Sequence, residues 1–541
     1  MRNILIWIFG AFIILSIITL PRNPLQNDDA ALYALAAKNT VIHNQWLAQF
    51  VTPGDPSSFL DKPPLGIWLL AFPLKVMGAS ELTVHIPNVI YYLVLLMLLF
   101  FSLSYLASKK LALYSTLIAA TSFCLVAYSR TPKLDVLLTL SVTASHFLFF
   151  AFLKRNDFRY LMLFTLSLAF GFLIKSGFGV LFPVLTILFL MLFHPPIRNK
   201  IFQLLLTPYA LLNLLLFLLM VGGVLGVQSF SLKDQWLPYL KSITIQSKYN
   251  TAYLGLGFHY PIIGFLLLAL FPWSPLWLSA LKIPKPRKAV SSPLNTKHSK
   301  LTLSDYSSFW FWSNVSFLLF FYQQNDLRTF TVFVPPLAIL AATKLIFIQK
   351  KSKSPISCFL WGLFFLILLG VILTKVILNP VNTQGISLKA AVPPLILFTF
   401  SLFLFFLYLW RPKELKFILA FLLICLSYVV LFYQTKPLAD AFNSNVTWPK
   451  IIQNYRAKGA KFYLYRPSDR PLFFSPDLAY VDFMAGPADK YFWTKSNLLQ
   501  SLFKERVILL SDTKSLEKLN LKIYYKKLAQ DSYSSMILIS P

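Results

Sequence analysis

The strongest constraint on this chain is a succession of apolar runs, each about 17 to 25 residues long, separated by short polar gaps. About 20 apolar residues in a helix cross the roughly 30 Å hydrocarbon core of a bilayer. Of the 541 residues, 57% are hydrophobic and only 13% are charged, which excludes a water-soluble globular protein. The sequence therefore predicts an all-α integral membrane protein that crosses the bilayer many times.

The runs and the gaps between them predict about thirteen membrane-spanning helices. The first run follows Arg2 and could be a signal peptide, but no small-x-small cleavage pattern follows it, so we expect an uncleaved first span. The expected spans lie near residues 4–20, 84–106, 111–128, 134–153, 159–174, 177–193, 203–227, 260–281, 307–322, 329–348, 356–378, 391–410 and 417–433.

Basic residues set the predicted orientation of the spans. The formal net charge is +30, and Lys and Arg are concentrated in alternate gaps and in the C-terminal segment. This asymmetry is typical of cytoplasmic loops, and it explains the charge better than nucleic-acid binding does. With the N-terminus inside, the loop of residues 21–83 and everything from residue 434 onward are expected to lie outside the cytoplasm.

The last part of the chain, residues 434–541, predicts a small extracytoplasmic α/β domain that follows a membrane domain of residues 1–433. About 100 residues are enough for a small core of their own. Helical patterns occur near residues 494–504 and 514–519. Four short segments have the composition and alternation typical of strands, at residues 461–466, 506–511, 522–525 and 535–539.

The predicted outer loop 21–83 is mostly uncharged, and a few charged residues stand out in it: Asp28, Asp29, Asp55, Asp61 and Lys62. The runs 29–48 and 64–76 have helical spacing, and each is short with polar flanks. They predict two amphipathic helices on the membrane surface, where a lipid headgroup would sit. Taken alone, Asp28 or Asp29 is most simply interpreted as an N-cap.

Three further charged residues fall on the same predicted side of the membrane, each at or near the end of a span: Asp135, Lys175 and Arg328. Charges at membrane depth are costly and usually face a polar cavity or mark a functional path. Interfacial snorkelling is the alternative for each, and we favour it for Lys75 and Lys133. Together with Lys62, the cations Lys175 and Arg328 predict a phosphate-binding site, and an aspartate there could accept the proton of an attacking hydroxyl.

Three short motifs of the outer loop follow one another in a fixed order: Asp29-Ala-Ala-Leu-Tyr33, Trp46-Leu47 and Asp61-Lys62-Pro63-Pro64-Leu65-Gly66-Ile67-Trp68. This order resembles the aminoarabinose transferase and protein O-mannosyltransferase superfamily, which reads roughly Asp-Glu-x-x-Tyr, Trp-Leu and acid-Lys-Pro-Pro-Leu-x-x-Trp. Ala30 stands where the family has a Glu. Further family landmarks follow up to about residue 340, at Leu134-Asp135, Lys175, Phe271-Pro272-Trp273 and residues 327–338.

The resemblance implies a GT-C fold in the bacterial cytoplasmic membrane and inverting transfer of a sugar from a polyprenyl-phosphate donor, such as undecaprenyl phosphate. It also implies that Asp29 and Asp135 are catalytic acids and that Lys62 contacts the donor phosphate. Asp61 and His259 would take part in holding a divalent metal ion, although a single interfacial histidine is more often structural.

The sequence leaves more than one acceptor and more than one class of protein open. Lipid A of lipopolysaccharide, another surface glycan or a secreted protein could accept the sugar, the last in the manner of a protein O-mannosyltransferase. A transporter or lipid flippase is a different class, but such carriers usually place charges near the membrane midplane and contain internal repeats. A purely structural membrane protein would not need the polar outer loop.

Overall fold

The computed structural model shows a bundle of helices joined to a mixed β-sheet. It describes residues 2–23, 29–51, 62–237, 261–281, 301–321, 326–351, 414–442, 448–465, 476–486, 488–492, 495–502, 506–519, 525–530 and 534–539, together with isolated residues between these ranges, among them 259.

The helices follow the apolar runs of the sequence closely. In chain order they are α1 (Arg2–Ile18), α2 (Asp29–Ile42), α3 (Pro64–Met77), α4 (Glu81–Leu106), α5 (Lys109–Ala120), α6 (Phe123–Tyr128), α7 (Asp135–Arg155), α8 (Phe158–Lys175), α9 (Phe178–Phe193), α10 (Pro195–Leu205), α11 (Pro208–Leu232), α12 (Pro261–Ala269), α13 (Ser274–Ala280), α14 (Leu303–Phe321), α15 (Val334–Lys351), α16 (Glu414–Phe442), α17 (Trp448–Ala457), α18 (Pro476–Ala485), α19 (Lys495–Leu502) and α20 (Thr513–Leu519). A 3-10 helix, Leu327–Phe333, leads directly into α15.

Six helices in the described part of the chain are long and apolar enough to cross a membrane, and two bent helix pairs would raise this number to eight. The six lie at the predicted spans near 84–106, 134–153, 159–174, 203–227, 329–348 and 417–433. The chain is therefore an integral membrane protein. The total of about thirteen spans stays a prediction, because residues 356–378 and most of 391–410 lie outside the described residues.

Two predicted continuous spans are broken. The span near 111–128 divides into α5 and α6, and the span near 260–281 divides into α12 and α13, which are bent by 113°. The two breaks contact each other, since the Phe123 amide donates to the Phe271 carbonyl at 2.9 Å and the Trp273 indole donates to the Thr121 hydroxyl at 2.9 Å. These bonds replace helical ones, so hydropathy alone could not reveal the breaks.

The short helix α2 differs from the predicted surface helix. It ends at Ile42 rather than near residue 48, and most of its residues are buried rather than one face of it. Small side chains such as Ala30, Ala34 and Ala37 allow α3 and α18 to pack closely against it. The prediction of an amphipathic helix was therefore wrong for α2, although the helix itself is confirmed.

Helices α7, α8 and α9 form the centre that positions the site. Helices α7 and α8 form a hairpin, so the N-terminus of α7 and the C-terminus of α8 meet at one end of the bundle. A Cβ atom on Gly179 would lie 2.0 Å from the backbone carbon of Gly171, so the close crossing of α8 and α9 requires glycine there.

The C-terminal segment forms a five-stranded sheet in the order β2-β1-β3-β5-β4. Its strands are β1 (Lys461–Tyr465), β2 (Lys490–Phe492), β3 (Val507–Asp512), β4 (Tyr525–Gln530) and β5 (Ser534–Ile539). β1 pairs in parallel with β2 and β3, whereas β5 pairs antiparallel with β3 and β4. Alternate residues face opposite sides: Leu464 and Leu510 join the core of the helical bundle, and Tyr463 and Leu509 join a separate small core.

This sheet matches most of the predicted α/β pattern. The strands near 461–466, 506–511 and 535–539 and both helices are confirmed. β4 begins at Tyr525, where the predicted strand 522–525 ends, and the three-residue β2 was missed because it is too short to show alternation. The proposed domain boundary at residue 433 stays a prediction, and α16 continues past it to Phe442.

Candidate functional site

A salt bridge between residues 299 positions apart in the sequence defines the site. Asp29 is the first residue of α2, and Arg328 lies at the start of the 3-10 helix Leu327–Phe333. The Arg328 Nη1 atom donates to the Asp29 Oδ2 atom. The guanidinium is 15% exposed and the carboxylate is 36% exposed, so the pair lies at the edge of a partly open space.

A second salt bridge lies deeper in the same end of the bundle. Asp135 begins α7 and Lys175 ends α8, so the helical hairpin brings them together. The Lys175 Nζ atom lies 2.6 Å from the Asp135 Oδ1 atom, and their side chains are only 17% and 3% exposed. A charge in such a place is stable only with its partner.

Arg328 also pairs with a third acid, Asp326. The Arg328 Nε atom lies 2.6 Å from the Asp326 Oδ2 atom, and the Arg328 backbone amide donates to Asp326 Oδ1 at 3.0 Å. Asp326 thus caps the 3-10 helix and pairs with the side chain two residues later. The sequence prediction missed this residue because a polar turn before a span commonly contains an Asp as a cap.

Lys62 and Lys133 complete the charged cluster. Burial alone would raise the pKa of the Asp29 carboxyl, but the positive charges of Arg328, Lys62 and Lys133 outweigh it and hold that pKa below its usual value of 3.8. Asp29 is therefore an anion at neutral pH. Lys133 is 6% exposed and lies 5.4 Å from the centre of the Tyr128 ring, so the interpretation as a snorkelling side chain was wrong. Lys75 is exposed beside the Trp46 ring, as expected for a surface lysine.

A narrow cleft adjoins the deeper ion pair. Asp135 and Lys175 form its polar wall, and the remaining lining residues are apolar or carry hydroxyl groups: Leu138, Phe178, Phe182, Thr329, Thr331 and Val332. The combination of aromatic walls with a few polar groups is typical of a ligand site. A buried cation at its wall favours a ligand with an anionic group.

Two buried residues that the sequence prediction missed hold the polypeptide around the cluster. The Asn88 side-chain amide, fully buried in α4, donates to the backbone carbonyls of Tyr128, Thr131 and Lys133, at 2.8 Å for Lys133. This fixes the turn that leads to Asp135. The Tyr239 hydroxyl donates to the Lys62 backbone carbonyl at 3.1 Å and so fixes the backbone at this lysine.

The predicted site residues have different outcomes. Asp29, Arg328, Asp135, Lys175 and Lys62 lie in one charged cluster, as the electrostatic contacts of Asp29 and Lys175 indicate. The roles assigned to them stay predictions.

The predicted metal site is not supported by the part of the chain that the structure describes. Asp61 lies outside the described residues, and only the backbone contacts of His259, to Leu319 and Ile262, are defined. Among the described residues there is no group of three or more His, Cys, Asp or Glu side chains that could hold a metal ion. We therefore assign no step to a metal.

Comparison with known proteins identifies a family that part of the chain resembles. Residues 61–225 match the family model of dolichyl-phosphate-mannose-protein mannosyltransferases. An uncharacterized protein of Aquifex aeolicus is 27% identical over 191 residues, which cover 34% of this chain and 36% of that protein. The sequence match to this relative thus spans about a third of its length.

The fold matches that of two crystal structures over nearly the whole chain. ArnT from Cupriavidus metallidurans in the apo state has a TM-score of 0.75 at 11% identity, covering 98% of this chain and 97% of that one. The same protein bound to undecaprenyl phosphate has a TM-score of 0.74 with the same coverage. The predicted GT-C fold is therefore confirmed.

Proposed function

Because this chain is a relative of the GT-C membrane glycosyltransferases in fold and in residues 61–225, we propose that it transfers a sugar from a polyprenyl-phosphate donor to an acceptor. The acceptor would lie outside the cytoplasm, on the side that the basic gaps of the sequence assign to residues 21–83. The observation that carries the proposal is the clustering of Lys62 and Arg328 around Asp29, with the Asp135–Lys175 ion pair close to the same arginine.

The proposed reaction is a single displacement with inversion. An acceptor oxygen attacks the anomeric carbon of the donor and forms the new glycosidic bond. The bond between that carbon and the phosphate oxygen breaks, and its electron pair stays on the departing polyprenyl phosphate. Lys62 and Arg328 stabilise the negative charge that develops on this phosphate, because charge-assisted hydrogen bonds are strongest in a site that excludes water.

Asp29 receives the proton of the acceptor when the acceptor is a hydroxyl group. Its carboxylate is ionised and partly exposed, as a general base at this position must be. If the acceptor is a phosphate oxygen, which is already an anion, Asp29 only positions it. Asp135 is almost fully buried against Lys175, so it acts by holding Lys175 at the wall of the cleft.

The donor class is supported by the fold shared with a protein that binds undecaprenyl phosphate. Lipid A is the first acceptor to examine, and the alternatives are another surface glycan or a secreted protein modified as by a protein O-mannosyltransferase. In each case the enzyme would reside in the bacterial inner membrane among membrane lipids, with the sheet of the C-terminal segment on the outer side.

The experiment that tests the proposal is mass spectrometry of lipid A, surface glycans and secreted proteins from cells that lack the chain. The cells are complemented with wild type, with Asp29→Asn and with Asp157→Asn, a matched control whose carboxylate pairs with Arg159 away from the site. A pentose or hexose mass restored by wild type and by Asp157→Asn, but not by Asp29→Asn, supports the proposal. No mass difference in any pool would refute it and favour a carrier.

A further inference from the structure

Arg328 binds two carboxylates at once. Its Nη1 atom contacts Asp29 and its Nε atom contacts Asp326. A guanidinium binds a phosphate most strongly through two N–H donors on one of its edges, either Nε with Nη2 or Nη1 with Nη2. Each of these edges shares a nitrogen with one of the two acids. If Arg328 binds the donor phosphate in this way, as the proposed function requires, the phosphate competes with one of the two acids.

The two acids differ in how they are held. Asp326 is two residues from Arg328 and accepts the Arg328 backbone amide at 3.0 Å, while the Tyr128 hydroxyl lies 3.5 Å from the same carboxylate. The Cys124 thiol, 3.3 Å from the Leu327 carbonyl, fixes the same turn. Asp29 belongs to a separate helix and meets Arg328 only through their side chains.

The same local unit occurs a second time in the chain. Asp157 accepts the backbone amide of Arg159 at 3.0 Å and pairs with its side chain at 2.8 Å, at the start of α8. There the arginine is 87% exposed. An Asp-x-Arg turn of this kind therefore forms on its own, without a third charged partner. At residues 326–328 the same turn holds the guanidinium that reaches Asp29.

We propose that the donor phosphate displaces Asp29 from Arg328, while Asp326 remains as the positioning residue that keeps the guanidinium aimed at the phosphate. This proposal rests on the proposed function. Its consequence is an order of events: Asp29 becomes available to the acceptor only after the donor has bound. Without Arg328 beside it, the carboxylate is also a stronger base, because a neighbouring cation stabilises its ionised form.

The proposal predicts opposite effects for the two acids on donor binding. Asp29→Asn removes the competing partner of Arg328, so undecaprenyl phosphate should bind about two- to fivefold more tightly, the range expected for releasing one partly exposed ion pair. Asp326→Ala also removes a negative charge, but it frees the guanidinium to leave its position, so the binding should become weaker. A purely electrostatic role of both acids would make both variants bind more tightly.

The experiment is a titration of the purified full-length protein in nanodiscs with undecaprenyl phosphate, with Kd as the readout. The variants are Asp29→Asn, Arg328→Gln and their combination, with Asp326→Ala and its matched control Asp157→Ala. Asp29→Asn should tighten binding in the wild-type background and change nothing in the Arg328→Gln background, because the competition acts through Arg328. Asp157→Ala should leave Kd unchanged.

Each other outcome has a defined meaning. If Asp29→Asn does not tighten binding, or tightens it equally without Arg328, the exchange is refuted while the proposed donor stands. If Asp326→Ala binds more tightly than wild type, Asp326 is not a positioning residue. If wild type itself does not bind undecaprenyl phosphate, the proposed function fails and the exchange fails with it. Thermal melting of each variant identifies a loss of binding that comes from misfolding.

Discussion

The ion pair between Asp135 and Lys175 gives the sharpest prediction about how the site is held together. Asp135 is 3% exposed and its charge also interacts with Arg328 and Lys133, whereas Lys175 has the cations Arg328 and Lys62 near it. Asp135→Asn therefore leaves several cations without their shared anion. We expect this substitution to lower the free energy of unfolding by about 3–5 kcal/mol, as for breaking a buried ion pair. Lys175→Met leaves Asp135 with two other cations and should cost about 1–3 kcal/mol.

The assay is thermal melting of the purified full-length protein in detergent, followed by intrinsic tryptophan fluorescence, for both single variants and the double variant. The double variant should be no less stable than Asp135→Asn alone, because each single change leaves a charge that the other removes. The reasoning would be refuted if the two single variants were destabilised equally, or if the destabilisation of the double variant were the sum of the two single effects. Asp157→Asn, with its exposed ion pair, serves as the control and should melt close to wild type.

Three further predictions follow from individual contacts. The pKa of Asp29 is lowered in the folded state, so its ion pair stabilises the protein fully above pH 3.8, and this stabilisation is lost as the pH falls through the lowered pKa. The difference in Tm between wild type and Asp29→Asn should therefore stay constant from pH 7 to about pH 5 and vanish in stronger acid. Gly179→Ala places a methyl group 2.0 Å from the Gly171 backbone, so it should abolish a cooperative melting transition, whereas Gly177→Ala, with open space around its Cβ position, should not. Asn88→Leu removes the donor to three carbonyls, so kcat for sugar transfer should fall at least about tenfold, while Asn213→Leu at the α8–α11 contact should lower only Tm.

The membrane-spanning helices could be predicted well from the sequence, because contact with the lipid hydrocarbon is the main reason why such a segment is apolar. A span is apolar along its whole length, so the runs near 84–106 and 134–153 needed no tertiary information. The breaks at Thr121 and at Trp273 escaped prediction because each break bonds to the other, which lies about 150 positions away in the sequence. The burial of most of α2 escaped prediction for a similar reason, since neighbouring helices cover the alanines that its own pattern leaves exposed.

The sequence indicated which charged residues belong to the candidate site, but not which of them form ion pairs with one another. Asp135, Lys175 and Arg328 stood out because they are charged residues at the ends of apolar runs. A charge at membrane depth is costly in free energy and usually has a functional role. Nothing in the sequence could show that Arg328 meets Asp29 across 299 positions. Asp326 was the avoidable omission, because the spacing of Asp157 and Arg159 already shows the same Asp-x-Arg arrangement at a helix start.

The positions of the acids bear on the interpretation of Asp29 as a helix cap. Asp29 and Asp135 each occupy the first turn of a helix, and Lys175 occupies the last turn of another. The helix dipole stabilises an anion at the first position and a cation at the second, by about 0.3–1 kcal/mol each. Yet the carboxylates bond to Arg328 and Lys175. The helix ends thus lower the cost of placing charges inside the bundle, and the same charges are then available for chemistry. For Asp29 a structural advantage and a catalytic role are compatible, so the one is no argument against the other.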